Sequence, residues 1–93
     1  MRFSEEKSQL LKSTRDISFE YVRDAIESGN LLADIAHPSQ KRSHQRIYVV
    51  KLKEYAYAVP YVIDLEKKEV FLKTVYPSRV FTKIYIGGKY GKK

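Results

Sequence analysis

Three segments dense in β-branched and aromatic side chains follow one another within residues 46–76, and they leave little choice of architecture. Arg46-Ile47-Tyr48-Val49-Val50-Lys51-Leu52 is the first, Tyr55 to Ile63 the second, and Glu69 to Tyr76 the third. Only Lys53 and Glu54 separate the first two, which predicts a hairpin. Neither residue favours positive φ, so the expected turn is looser than the count suggests. Asp64 to Lys68, polar except for Leu65, joins the second segment to the third. Pro60 cannot donate to a ladder, so its strand is expected at an edge or bulged there. Alternation in the third segment sets Val70, Leu72 and Thr74 on one face and Phe71, Lys73 and Val75 on the other. With helices over the leucine face, Lys73 would be presented by the open face.

The preceding residues read as helices. Phe3 to Arg15 forms a short one, capped by Ser4, with Glu5 and Glu6 against the positive end of its dipole. Leu10 and Leu11 are its only strong apolar contacts. Ser18 caps a second helix, in which Phe19, Val22, Ala25 and Ile26 recur at helical spacing. Arg23 and Glu27 form an i,i+4 pair on its outer side, and Gly29 ends it. Leu31 to Ala36 reads as a short strand and His37 to His44 as a polar loop. Pro77 closes the last strand and opens a helix over Ser78 to Ile86, with Val80, Phe81 and Ile84 as anchors. The expected fold is α+β: N-terminal helices packed on a three- to four-stranded antiparallel sheet, with a short C-terminal helix. Residues 1–86 form one domain, because 93 residues do not supply two cores, and 87–93 form a basic, glycine-rich tail.

Charge is unevenly distributed along the chain. Residues 1–36 hold five Lys/Arg against seven Asp/Glu, whereas residues 37–93 hold thirteen against four. Seven of the eight tyrosines lie in that second part, so it suits a polyanion with bases to stack on, or else is a solvated lysine surface. No cysteine is present, which removes disulfides and thiolate metal sites. The His37-x6-His44 spacing is not one that zinc sites use. No apolar run approaches the roughly 20 residues of a membrane span, and the first residues lack the apolar run of a secretory signal. The expectation is a soluble, cytoplasmic chain without membrane association.

No phosphate-binding glycine loop or serine–histidine–carboxylate pattern is visible. The scarcity of acids in the second part argues against a carboxylate-metal nuclease. What remains is a set of cations, Arg46, Lys51, Lys73, Arg79 and Lys83, with His37, His44 and several tyrosines. RNA can be cleaved without a metal, since its own 2′-hydroxyl is the nucleophile. The protein must then position the strand, move protons and stabilise charge on the phosphate. Arginine suits phosphate through its planar fork, and histidine titrates near neutral pH. Arg79 stands out at a strand-to-helix junction. The plain alternatives are a surface lysine at Lys73, a structural ion pair at Arg79, and loop roles for His37 and His44. Tyr55, Tyr57 and Tyr61 read as a cross-strand stripe at the core edge.

Several stretches resemble the BrnT-like toxins. Ile17-Ser18-Phe19-Glu20 after Arg15 is similar to that family's helix start, and Gln45-Arg46-Ile47-Tyr48-Val49-Val50 to its central strand. Most specific is Tyr57 through Val62, then the run Phe71-Leu72-Lys73-Thr74-Val75-Tyr76-Pro77-Ser78-Arg79, followed by Thr82 and Tyr85. It resembles the family's closing strand, Ser-Arg junction and terminal tyrosine helix. The likeness covers Lys7 to Tyr85, with two departures: Asp16 stands where the family has glycine, and Glu54 where relatives often have a hairpin glycine. The resemblance implies a RelE/ParE-type fold, RNA cleavage and a ribbon-helix-helix antitoxin through which alone the toxin meets DNA. It carries the family's basic strand residue onto Arg46, its junction arginine onto Arg79 and its late tyrosine onto Tyr85.

The leading expectation is therefore a metal-independent endoribonuclease toxin without cofactor. Arg79 and Lys73 would stabilise phosphate charge, Tyr85 or His44 transfer protons, and Arg46, Lys51 and Lys83 bind RNA. A gyrase inhibitor or a non-catalytic co-repressor on the same scaffold is the second possibility. A stand-alone nucleic-acid-binding module is the third.

Overall fold

The computed structural model describes residues 1–42 and 44–87. Helix α1 (Glu5–Arg15) starts where Ser4 Oγ accepts from the Lys7 N–H, and α2 (Phe19–Glu27) where Ser18 Oγ accepts from Tyr21 N–H. The strands are β1 (Leu31–Ala36), β2 (Arg46–Leu52), β3 (Tyr55–Asp64), β4 (Glu69–Leu72) and the two-residue β5 (Tyr76–Pro77). They form one antiparallel sheet in the order β1-β2-β3-β4, with β5 also paired to β3. A 3-10 turn (Gln40–Arg42) interrupts the loop before β2, and α3 (Arg79–Phe81) runs on into a π-helical turn over Thr82–Ile86. The α+β class is as expected, but the sheet has five strands where three or four were expected, and the C-terminal helix is a three-residue α turn continued by a π turn. Except for Gly87, the basic tail lies outside the described residues.

Both faces of the sheet are used. Val50, Leu52, Val59, Tyr61, Leu72 and Val75 pack beneath Leu11, Ile17, Phe19, Val22 and Ala25 of the two N-terminal helices and their connection. On the other face, Ile47, Val49, Ala56 and Ala58 meet Phe81 and Ile86 from the C-terminal segment. Val80 and Ile84, expected as anchors, are instead 63% exposed; Phe81, Ile86 and buried Thr82 hold that segment down. The π turn accounts for Ile84, because widening the helix after Phe81 brings Ile86 to the sheet in its place. A hydroxyl ties α1 to α2: Ser8 Oγ accepts from Phe19 N–H at 3.0 Å and donates to Glu20 Oε1 at 2.8 Å. That bond holds the Glu20 carboxyl below its usual pKa range. Arg23 pairs with neighbouring Asp24, at 3.6 Å, rather than with Glu27.

The third expected segment, Glu69 to Tyr76, is not one strand but two, β4 and β5. Strand β3 is interior, not an edge, and the irregularity at Pro60 appears in its neighbour instead. Lys73 N–H donates to the Pro60 carbonyl at 2.8 Å, but Pro60 has no N–H to return. The Lys73 carbonyl accepts from Lys7 Nζ at 2.8 Å instead, and the chain leaves the ladder at Leu72 before rejoining β3 at Tyr76. Arg2 forms a parallel bridge with Phe71 outside β4, giving its N–H to Val70 and its carbonyl to Leu72 N–H.

Both departures from the glycines of the BrnT-like pattern fall on left-handed backbone. Asp16, which caps the end of α1, has φ 58°; Glu54 has φ 68°, beside Lys53 at 54°. The Leu52↔Tyr55 pairing makes this a tight two-residue hairpin, not the looser turn expected. A left-handed non-glycine residue costs about 1–2 kcal/mol, and glycine returns part of the gain through its freer unfolded chain. Glu54→Gly is therefore expected to raise stability by about 0.5–1 kcal/mol, read as a higher urea midpoint. An unchanged or lower midpoint would refute strain at this turn.

Candidate nucleic-acid interface

The segment from Val70 to Gly87 contains Lys73, Arg79 and Lys83 but no Asp or Glu. All three cations are exposed, and among the described residues none forms an ion pair. Between and beside them Phe71, Tyr76 and Tyr85 are 36%, 38% and 37% exposed. Lys73 Nζ lies 5.6 Å from the Phe71 ring centroid, and the Tyr85 ring lies 6.0 Å from that of Phe81. The backbone sets the cations' places. Lys73 is fixed by its bond to Pro60, and Arg79 opens the helical turn that Ser78 caps by accepting from Phe81 N–H at 3.1 Å. Along β3 the two attachment points, Pro60 and Ala56, are four residues apart, about 13 Å at strand rise. The result is an open, uncompensated positive strip with aromatic rings.

The remaining expected site residues fall elsewhere. Arg46 is committed to Asp34: Nε donates to Oδ1 at 3.0 Å and Nη2 to the Asp34 carbonyl at 2.9 Å. Its hydrogen bond to Asp34 raises the guanidinium pKa further above its usual value. Lys51 Nζ lies 3.9 Å from Glu54 Oε1 and sits five residues from Arg46, about 17 Å along β2. His44 is in the exposed turn that precedes β2, at the end opposite the Lys53-Glu54 hairpin. Lys73, Arg79, Lys83 and Tyr85 thus share one continuous segment, and β3 alone separates it from Lys51, which pairs with the Ala56 that holds Ser78 and Thr82, and from Arg46, which pairs with Tyr61 opposite Leu72. His37 serves its loop, as its Nδ1 accepts from Ser39 N–H at 3.1 Å.

Sequence reasoning missed one polar network. Tyr61, 2% exposed, donates its hydroxyl to Asp34 Oδ1 at 2.6 Å, and its ring stacks on Tyr48 with centroids 3.9 Å apart. Burial is the main reason both phenols are pushed above the usual tyrosine range. Phenols held protonated in this way are hydrogen-bond donors, not bases, and Arg46 charge is already met. The network therefore joins β1, β2 and β3 and offers little to an anion. The one available signal was Asp34, the only acid in an otherwise apolar strand.

Other features are quieter. A hollow of about 680 Å³ lies along the exposed flank of α1, lined by Glu6, Lys7 and Leu10 among others, with Lys7 reaching from it to the Lys73 carbonyl. Among the described residues no three His, Cys, Asp or Glu side chains converge as a metal site would require, and no helix is long and apolar enough to cross a membrane. No family model matches the chain, and neither a curated protein nor a solved structure matches it.

Proposed function

We propose that this chain is the toxin of a bacterial type II toxin–antitoxin pair, a BrnT-like protein of RelE/ParE type that inhibits translation by cleaving RNA without a metal. The observation that carries the reading is the strip of uncompensated cations and exposed rings from Phe71 to Tyr85. At Asp16 and Glu54, where the resembling family has glycine, the backbone is left-handed, a conformation that glycine adopts without strain. In this reading the substrate 2′-hydroxyl attacks the adjacent phosphorus and expels the 5′-oxygen. Arg79 and Lys73 neutralise the charge gathering on the phosphate, and Lys83 holds the strand. Tyr85 exchanges protons with the attacking and leaving oxygens. His44, in the exposed turn before β2, takes no step in this scheme, and Arg46 is the weaker RNA contact because Asp34 meets its charge. A ribbon-helix-helix antitoxin encoded alongside neutralises the strip, and through it alone the toxin reaches DNA.

Expression of the intact chain in a bacterium is expected to arrest growth and truncate transcripts, with growth restored by co-expression of the adjacent antitoxin. Unimpaired growth with intact transcripts would overturn the proposal. One observation favours a second reading on the same scaffold: the strip contains no Asp, Glu or His. That suits a gyrase inhibitor, which needs a cationic surface but no acid–base pair. Growth arrest with DNA breaks, an SOS response and intact RNA would select it.

A further inference from the structure

The junction that carries Arg79 is held by a hydroxyl inserted into the sheet ladder. β5 pairs with β3 as Tyr57↔Pro77 and Ala58↔Tyr76, which sets Ala56 opposite Ser78 at the next step. A hydrogen-bonded antiparallel pair exchanges two N–H···O bonds. The first is present, since Ser78 N–H donates to the Ala56 carbonyl at 3.0 Å. The second is intercepted. Ala56 N–H donates to Thr82 Oγ1 at 3.0 Å, and Thr82 Oγ1 donates onward to the Ser78 carbonyl at 2.7 Å. Thr82 is 2% exposed, and its one hydroxyl proton and one lone pair are both used in this relay. The same Ser78 carbonyl accepts Thr82 N–H at 3.0 Å, so the relay also closes the helical turn that contains Arg79.

We propose that the Thr82 hydroxyl is the positioning group for Arg79, acting as a spacer that sets the angle at which the C-terminal helix leaves the sheet. The inference rests on the RNA-cleaving reading of the strip. Without the hydroxyl, Ala56 N–H is left unpaired in a buried place and its nearest remedy is the Ser78 carbonyl itself. Closing that bond draws Ser78 toward β3 and swings the turn bearing Arg79. A displacement of about 1 Å at a charge-stabilising group costs on the order of 100-fold in rate. Lys73 hangs from Pro60 and is untouched, and Lys83 is an exposed point charge on a flexible stem that can follow its phosphate as the turn moves, so binding of the RNA strand is largely kept.

The experiment uses the intact chain and a labelled messenger RNA, both free and on stalled ribosomes, with amide exchange at Ala56 as a structural readout. Thr82→Val keeps the side-chain volume and removes the hydroxyl. It is expected to lower kcat by about tenfold to 100-fold with KM within threefold of the parent. Thr82→Ser keeps the relay and is expected to stay within threefold of the parent in both constants. A parent that cleaves RNA together with a folded Thr82→Val variant of equal kcat would overturn the positioning role alone. A parent that cleaves neither form of RNA overturns the cleavage reading and this inference with it, while exchange at Ala56 still reports whether the relay forms. Should Thr82→Val not fold, Thr82→Ser decides: a tenfold fall in kcat despite native Ala56 protection would reject the proposal.

Discussion

Arg79→Ala is expected to reduce RNA cleavage by about 100-fold or more and to release the growth arrest, while the fold stays intact. Removing a single donor to a developing anion typically costs 10²–10³ in kcat. Arg79 is the best-placed cation for that role, because its junction is pinned on both sides. Ser78 caps its turn, and Thr82 relays the turn to β3. The substitution removes nothing the fold needs, since Arg79 is exposed and in no ion pair among the described residues. A cation at the first position of a helix also faces the positive end of the dipole, so alanine is neutral or slightly favourable there. The Tm should move by no more than a few degrees, as for other surface changes within about 0.5 kcal/mol. Toxicity equal to the parent's, with the protein present at the same level, would remove Arg79 from the mechanism. Arg79→Lys should recover part of the rate, since it restores charge without the two-pronged fork.

How much of this was legible in the sequence depends on which physical signal each feature leaves. Helix α2 was readable because capping and apolar spacing agree, and both Ser18 and the buried Phe19–Val22–Ala25 stripe are where the pattern puts them. The hairpin between β2 and β3 was readable in length but not in form, since lysine and glutamate at positive φ run against local preference and are imposed by strand pairing. The break after Leu72 was hidden because it originates in Pro60, a residue on a different strand. Alternation accounted for Leu72 and Phe71 but could not carry past that break, which is why Val75 is buried. Of the three expected C-terminal anchors Phe81 holds while Val80 and Ile84 are exposed: a 3.6-residue period favours Ile84 after Phe81, and the π turn over Thr82–Ile86 brings Ile86 to the sheet instead. At the candidate site, Lys73 and Arg79 were visible as cations near strand ends, yet only the fold distinguishes their free charge from that of Arg46. Pairing of Arg46 with Asp34 links residues twelve apart through strand register, which no local pattern records.

Phe19→Ala is expected to have the largest effect on stability, about 3–5 kcal/mol, with the chain left near the edge of folding at ordinary temperature. Phe19 is 0% exposed and lies where three parts of the molecule meet. Its ring is 5.2 Å from that of Phe3, it packs in the cluster formed with Val22, Val59 and Leu72, and its N–H is held by Ser8 Oγ of α1. Helix α1 depends on this arrangement, because Leu11 is its only buried apolar side chain. Truncation therefore opens a cavity and also loosens the one helix with little grip of its own. Urea denaturation measures the loss, and each kcal/mol corresponds to about 4–8 °C in Tm for a domain of this size. A loss below about 1 kcal/mol would mean that this cluster does not hold the helices to the sheet. The contrast with Arg79→Ala then separates fold from site. Phe19 lies on the face under the N-terminal helices, and the C-terminal segment packs on the opposite face. Activity in Phe19→Ala should fall only in proportion to the unfolded fraction and return at low temperature or with a stabilising osmolyte. In Arg79→Ala no such recovery is expected, because what has been removed is a charge at the phosphate and not the scaffold that presents it.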